Sequence, residues 1–131
     1  MMNYPNDLRY SKEHQWIRVE GNRGKVGITD YAQSSLGDII FVELPQEGDE
    51  LKKDDALGIV ESAKSSSDVY CPVSGKVIAV NEELLDSPQL INEDPYGRGW
   101  MIEIELSDPS ELDDLMEAAE YRAMVEEEKG D

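Results

Sequence analysis

The 131-residue chain holds one cysteine, one histidine and one phenylalanine. A lone Cys71 excludes an intramolecular disulfide and fits a reducing, intracellular setting. His14 and Cys71 lie far apart in sequence and offer no metal-ligand spacing, so no metal site is expected. Positive charge is scarce: twelve Lys and Arg face thirty Asp and Glu, for a net charge of −18. That balance disfavours nucleic acid and anionic membranes as partners. It favours solubility, or docking onto basic patches. No apolar run approaches the roughly 20 residues of a membrane span. No Gly-x-Ser-x-Gly elbow is present, and Pro72-Val73-Ser74-Gly75 is only superficially like one. No glycine-rich phosphate loop precedes a helix. Residues 1–9 have no signal-peptide core and no arginine-rich amphipathic leader. The cytoplasm is therefore expected, or the mitochondrial matrix if a transit peptide has been removed.

What is present is the length of a single domain, 1–131, and an uneven acidity. From Glu103 to Asp131 twelve acidic residues stand against Arg122 and Lys129, a net −10 of the −18. A solvated helix face and a frayed tail are expected there.

Residues 1–9 read as a loosely held lead-in. Gln15 to Glu20 alternates, with Ile17 and Val19 on one face. Gly21-Asn22-Arg23-Gly24 turns the chain, and Lys25 to Thr29 returns as the second strand of a hairpin. Thr29-Asp30 offers a cap for a helical turn through Leu36, stopped by Gly37. Asp38 to Leu44 is the most apolar run and is expected at the centre of a sheet. Ala56 to Ser62 and Val69 to Pro72 flank a small polar tip, and Gly75 to Asn81 is a further strand. Glu82 to Arg98 reads as one long irregular loop. Gly99 to Leu106 alternates, with Trp100, Ile102, Ile104 and Leu106 inward. Asp108 can cap a helix with Pro109 in its first position and Glu111 three past the cap. Leu112, Leu115, Met116 and Ala119 recur at helical spacing, and a second helix continues through Tyr121 and Val125. Seven or more short strands with a helical end predict a mainly β domain, a sandwich or flattened barrel, with its β core over 8–106 and an acidic helical part over 109–128.

At the tip sits Lys64, with Glu61 and Asp68 as the nearest ionisable residues in sequence. A lysine on a hairpin commonly does no more than blunt a sheet edge. The chain otherwise lacks catalytic equipment, which leaves a second reading. Acylated by a long flexible acid, Lys64 would be the root of a swinging arm that raises the local concentration of a reactive group at each docked enzyme.

Val60 to Val77 closely resembles the lipoylation segment of the glycine cleavage H-protein family. His14-Gln15-Trp16, Gly27 to Ala32, Leu36 to Ile39, Phe41 to Pro45, Gly99-Trp100-Met101 and the acidic helical end resemble the same family in the same order. The resemblance covers nearly the whole chain. It implies a barrel-sandwich hybrid, or hammerhead, of two antiparallel sheets with a lysine-bearing hairpin and C-terminal helices. It implies lipoate attached covalently to Lys64, and a non-catalytic carrier. In that role the arm takes an aminomethyl unit from a pyridoxal-phosphate glycine decarboxylase (P protein) to an aminomethyltransferase (T protein). The reduced arm then passes to dihydrolipoamide dehydrogenase (L protein). The further implied partner is a lipoate-attaching enzyme, and the implied form is a monomer.

Carried over by position, Glu61 and Ser62 match the approach to the modified lysine. Asp68, Glu13, His14 and Gln15 match positions near the cleft where the loaded arm rests, although Asp68 also suits a turn-stabilising role. The family usually shows His-Glu-Trp where this chain has His14-Gln15-Trp16. Glutamine can hydrogen-bond an ammonium but carries no charge. Glu13 or Asp68 is then left to compensate, or the resting site is weaker. Three rivals stand beside this reading. A biotinyl or free lipoyl domain shares the hairpin, but Ala63 and Ser65 flank the lysine here, and free lipoyl domains lack the helical tail. A lipoyl relay or scaffold keeps the fold and changes the role. A small hydrolase would use Ser74 or Cys71.

Overall fold

The computed structural model describes residues 2–129. Met1 of the expected lead-in, and Gly130 and Asp131 of the expected tail, lie outside the described residues. Alternating side chains and glycine turns divide the chain into β1 (Arg9–Tyr10), β2 (Gln15–Glu20), β3 (Arg23–Ile28), α1 (Asp30–Leu36), β4 (Ile39–Glu43) and β5 (Glu50–Leu51). There follow β6 (Ala56–Ser62), β7 (Ser66–Tyr70), β8 (Gly75–Val80), α2 (Glu83–Asp86), α3 (Leu90–Glu93) and β9 (Ile102–Leu106). A 3-10 turn, Pro109–Asp114, and α4 (Ala118–Lys129) complete it.

The strands form two sheets, β1-β2-β3-β9-β8-β5 and β4-β6-β7. Every pairing is antiparallel. This is the expected two-sheet, mainly β architecture, and the sheets do not close into a barrel. Ile17, Val26 and Ile104 from the larger sheet share one core with Val42, Val60 and Val69 from the smaller. Each such side chain contributes about 1.5–3 kcal/mol by leaving water. A second core is aromatic. Tyr4, Tyr10, Trp16, Tyr96 and Tyr121 pack there with Leu8. Tyr10 and Tyr121 stack at 4.7 Å between ring centroids, and Tyr4 meets Tyr121 edge-on at 5.2 Å.

That second core overturns the loose lead-in. Tyr4 and Leu8 are buried, Arg9–Tyr10 pairs with β2, and Tyr96 donates from its hydroxyl to Asn3 O. Apolar anchors at positions 4, 8 and 10 outweigh the entropy gained by fraying.

The expected central strand is an edge. β4 has only β6 beside it, and Ile40 and Phe41 are exposed. A bulge between Ile39 and Phe41 breaks the alternation, so a continuous apolar run does not mean two covered faces here.

The segment 82–98 is ordered by α2 and α3, with Leu84, Leu90 and Ile91 buried. Trp100 lies outside β9 and only half-buried, with Lys25 Nζ 4.9 Å from its ring. Met101, next to it, is fully buried instead.

The expected helix from 109 is a 3-10 turn. Asp108 caps it by accepting from Ser110 N. The run ends before Met116, whose backbone pairs with Tyr10. Glu111 does not close a capping box. Its carboxylate accepts from Ser74 N at 2.7 Å and from Ser74 Oγ at 2.8 Å, tying the turn to the chain ahead of β8.

Candidate functional site

The three residues between β6 and β7 carry Lys64 outward. Glu61 pairs with Ser66 at the last rung of the ladder, and Ser62 then closes the loop. Ser62 N donates to Ser65 O at 2.7 Å. Ser62 Oγ accepts from Ser65 N at 3.1 Å and from Lys64 N at 3.4 Å. Ser62 itself is buried, so the loop's root is fixed while Ala63, Lys64 and Ser65 are exposed. The turn-holding role therefore belongs to Ser62. Asp68 sits within β7 opposite Ile59 and takes no part in that turn.

Lys64 is exposed and forms no ion pair within 4.0 Å among the described residues. Glu61, half-buried, forms none either. The lysine stem passes the C-terminus of α1, where a Cβ on Gly37 would stand 3.3 Å from Lys64 Cε. Gly37 is left-handed, with φ 87°, and donates to Gln33 O. Asn92 binds this corner together. Its Nδ2 donates to Gly37 O and Gln33 Oε1, each at 2.9 Å, and its Oδ1 accepts from Ile39 N at 2.8 Å. Gly37 was legible as a helix stop but not as the lysine's neighbour. Asn92, inside an apparently irregular run, gave no signal.

The remaining residues do not converge on one spot. Glu13 and Gln15 line a cleft of about 440 Å³ with Lys53, Asp54, Cys71 and Pro72. Glu13 and Asp54 also line a smaller hollow with Tyr70, at the base of the lysine hairpin. At roughly 3.3 Å per strand residue, Asp68 lies ~7 Å and Tyr70 ~13 Å along β7 from Ser66, its first residue after the lysine loop. Asp68 lines a separate hollow with Ile59, Leu57 and Glu43.

Within the cleft Gln15 is 3% exposed and its amide is engaged on both sides. Nε2 donates to Glu13 O at 2.9 Å, and Oε1 accepts from Ser11 Oγ at 2.6 Å. Glu13 and Asp54 are exposed, and Lys53 is paired with Asp114 at 3.1 Å. Burial pushes the Cys71 thiol up to about 11, which leaves it protonated and unreactive at neutral pH. That removes the physical basis for a cysteine nucleophile.

His14 turns away from Glu13 and Gln15. Its φ of 76° reverses the chain locally. Nδ1 lies 2.8 Å from the Tyr121 hydroxyl, which in turn lies 2.7 Å from Thr29 Oγ1. Nε2 lies 3.5 Å from Glu128. His14 thus fastens α4 to the start of α1. No group of His, Cys, Asp and Glu suited to a metal ion occurs among the described residues. None of their helices is long and apolar enough to cross a membrane.

A family model described as Glycine cleavage H-protein matches residues 8–128. A glycine cleavage system H protein from Carboxydothermus hydrogenoformans is 60% identical over 124 residues, covering 95% of each chain. One from Symbiobacterium thermophilum is 61% identical over 127 residues, covering 97% of this chain and 99% of that one. The crystal structure of a glycine cleavage system H protein from Mycobacterium marinum superposes with a TM-score of 0.84 at 34% identity, covering 93% of this chain and 98% of that one.

Proposed function

Because the chain belongs to the glycine cleavage H-protein family, we propose that Lys64 is its lipoylated residue and that 1–131 acts as one carrier domain. The protein is a carrier component of glycine cleavage and not a catalyst. It serves the P, T and L proteins in turn after a lipoate-attaching enzyme has loaded it. The same reading places it with those enzymes in the cytoplasm.

The observation that carries the assignment of Lys64 is an exposed, unpaired amine on a loop whose root is buried and hydrogen-bonded. The residues present fit an amide-linked arm. No carboxylate neutralises the amine within 4.0 Å among the described residues, and the absence of a side chain at Gly37 leaves room beside the stem. When bound, lipoate supplies the disulfide that opens to take a one-carbon unit and closes again on oxidation. The chain's own part is to anchor that group. Ser62 and the β6–β7 ladder hold the root still, and Glu61 presents a charge beside it for an attaching enzyme to read. Asp68, two rungs further from the loop than Glu61, offers a carboxylate for a cationic cargo. Glu13 offers a second at the hairpin's base, where the Gln15 amide orders the turn instead of offering charge.

Peptide mass spectrometry of the protein from lipoate-replete cells tests this. Lipoyl on Lys64, and none in Lys64→Arg, is the expected result. A wild-type Lys64 that stays unmodified under those conditions contradicts the carrier reading.

A further inference from the structure

Few large apolar side chains are exposed among the described residues, and they are not scattered. Ile40 is 60% exposed, Phe41 48% and Leu85 57%, with only Val19, at 36%, elsewhere. Phe41 and Leu85 line one groove of about 500 Å³ between the free edge of β4 and α2. Leu44 and Val80 form its apolar wall. Glu43, Glu47 and Glu82 also line it, and no Lys or Arg among the described residues does.

The groove adjoins the lysine loop. Phe41 is the rung partner of Glu61, and Ile39 of Ser62. Neighbouring strands lie only about 4.8 Å apart. Anything that covers this edge therefore stands beside the root of Lys64. The bulge between Ile39 and Phe41 interrupts the edge, which discourages addition of a further strand. Side-chain docking is left as the mode of contact.

We propose that this groove is the docking surface for an enzyme that works on the lipoyl arm of Lys64. The enzyme presents an apolar ridge flanked by Lys and Arg. The proposal rests on the carrier reading above. Charge selects this occupant. A second copy would bring −18 against an acidic rim, and an anionic membrane would be repelled as well. A basic rim on the partner would steer the encounter, and the apolar ridge would hold it. Sparing apolar area also suits a carrier that must leave one enzyme for the next, because release limits how tightly each can bind.

The test uses the full-length lipoylated chain as varied substrate for the P, T and L proteins. Wild type is compared with Phe41→Ser, Leu85→Ser and Glu47→Lys, all at exposed positions. For at least one enzyme the KM for the carrier should rise on the order of tenfold, the loss typical of an interface anchor, with kcat within twofold. Glu47→Lys should also flatten the dependence of that KM on NaCl. Unchanged KM for all three enzymes overturns the proposal. An apolar effect without a changed salt slope overturns the basic flank. A wild-type dimer that Phe41→Ser dissociates assigns the groove to a second copy and overturns it too. Intact mass before assay separates the two levels: protein lacking lipoyl on Lys64 removes the carrier reading itself, and the proposal with it.

Discussion

Lys64 passes over Gly37 so closely that a methyl group on Gly37 would stand 3.3 Å from its Cε and 3.9 Å from its Nζ. Gly37 also has a φ of 87°, which L side chains rarely adopt. Gly37→Ala should cost about 1–3 kcal/mol through backbone strain, since φ 87° with ψ −160° is a conformation essentially reserved for glycine. It should also slow lipoylation by crowding the stem. Gly48 separates the two effects, having φ 96° and nothing within 4 Å of a Cβ. Gly48→Ala should lose similar stability in urea denaturation and load lipoate at the wild-type rate. Equal loading rates for both variants would remove Gly37 from the site.

Ser62 is the other determinant of how the lysine is held. Ser62→Ala deprives Lys64 N and Ser65 N of their shared acceptor. A stability loss of about 1 kcal/mol is expected, since these amides can turn to water. The larger consequence should be a looser tip. Lipoyl incorporation, followed by mass spectrometry, should slow several-fold in Ser62→Ala. Ser62→Thr, which keeps the hydroxyl, should recover most of the rate.

The strand pattern was legible in β9 but not in β2, where Gln15, Trp16 and Ile17 are all buried and Val19, expected on the face of Ile17, is exposed. Ile102, Ile104 and Leu106 are buried as their alternation requires. Thr29 caps α1 through its hydroxyl, and Gly37 ends it. The expectation for Lys64 rests on its sequence context alone, because an exposed amine on a hairpin has no local signature of its own. What failed to show depends on distant partners. Tyr4 and Leu8 look like a tail until Tyr10 and Tyr121 are placed beside them. Asp38 to Leu44 looks central because a bulge cannot be read from hydropathy. Glu13, His14, Gln15 and Asp68 were expected near one cleft; His14 has a φ of 76° and its ring meets the Tyr121 hydroxyl, a contact that only the fold shows.

Alkaline pH should unfold the protein earlier than its acidity alone suggests. Burial raises the Cys71 thiol from 9.0 to about 11, and raises Tyr10, Tyr96 and Tyr121 above their usual 10. The unfolded chain gives up these protons first, so the associated stability is intact below pH 9. For the thiol it is lost between pH 9 and 11, and for the tyrosines from pH 10 upward. Each group contributes a slope of at most ~1.4 kcal/mol per pH unit in its window. Urea midpoints should therefore be flat from pH 7 to 8.5 and fall above 9. In Cys71→Ala the fall should begin nearer 10, whatever its absolute stability. An identical onset in both proteins would show that the thiol does not contribute.

The sequence resemblance leads one to expect glutamate at position 15, and placing the acid there discriminates between two roles for the position. If it faced the cargo, Gln15→Glu would add an attractive charge at little structural cost. The observed amide is 3% exposed, donates to Glu13 O and accepts from Ser11 Oγ. A carboxylate can keep the second bond but not the first. It would set a negative oxygen against the Glu13 carbonyl in a buried place, and a loss of about 1–3 kcal/mol is expected from the unmatched acceptors. Glu13→Gln removes an exposed charge from the cleft and should leave stability within ±0.5 kcal/mol. If the cleft holds cationic cargo through Glu13, that second variant should hydrolyse its loaded form faster than wild type. Gln15→Glu should reveal itself first in denaturation. A Gln15→Glu protein as stable as wild type, with longer-lived cargo, would reverse the assignment and return position 15 to the resting site.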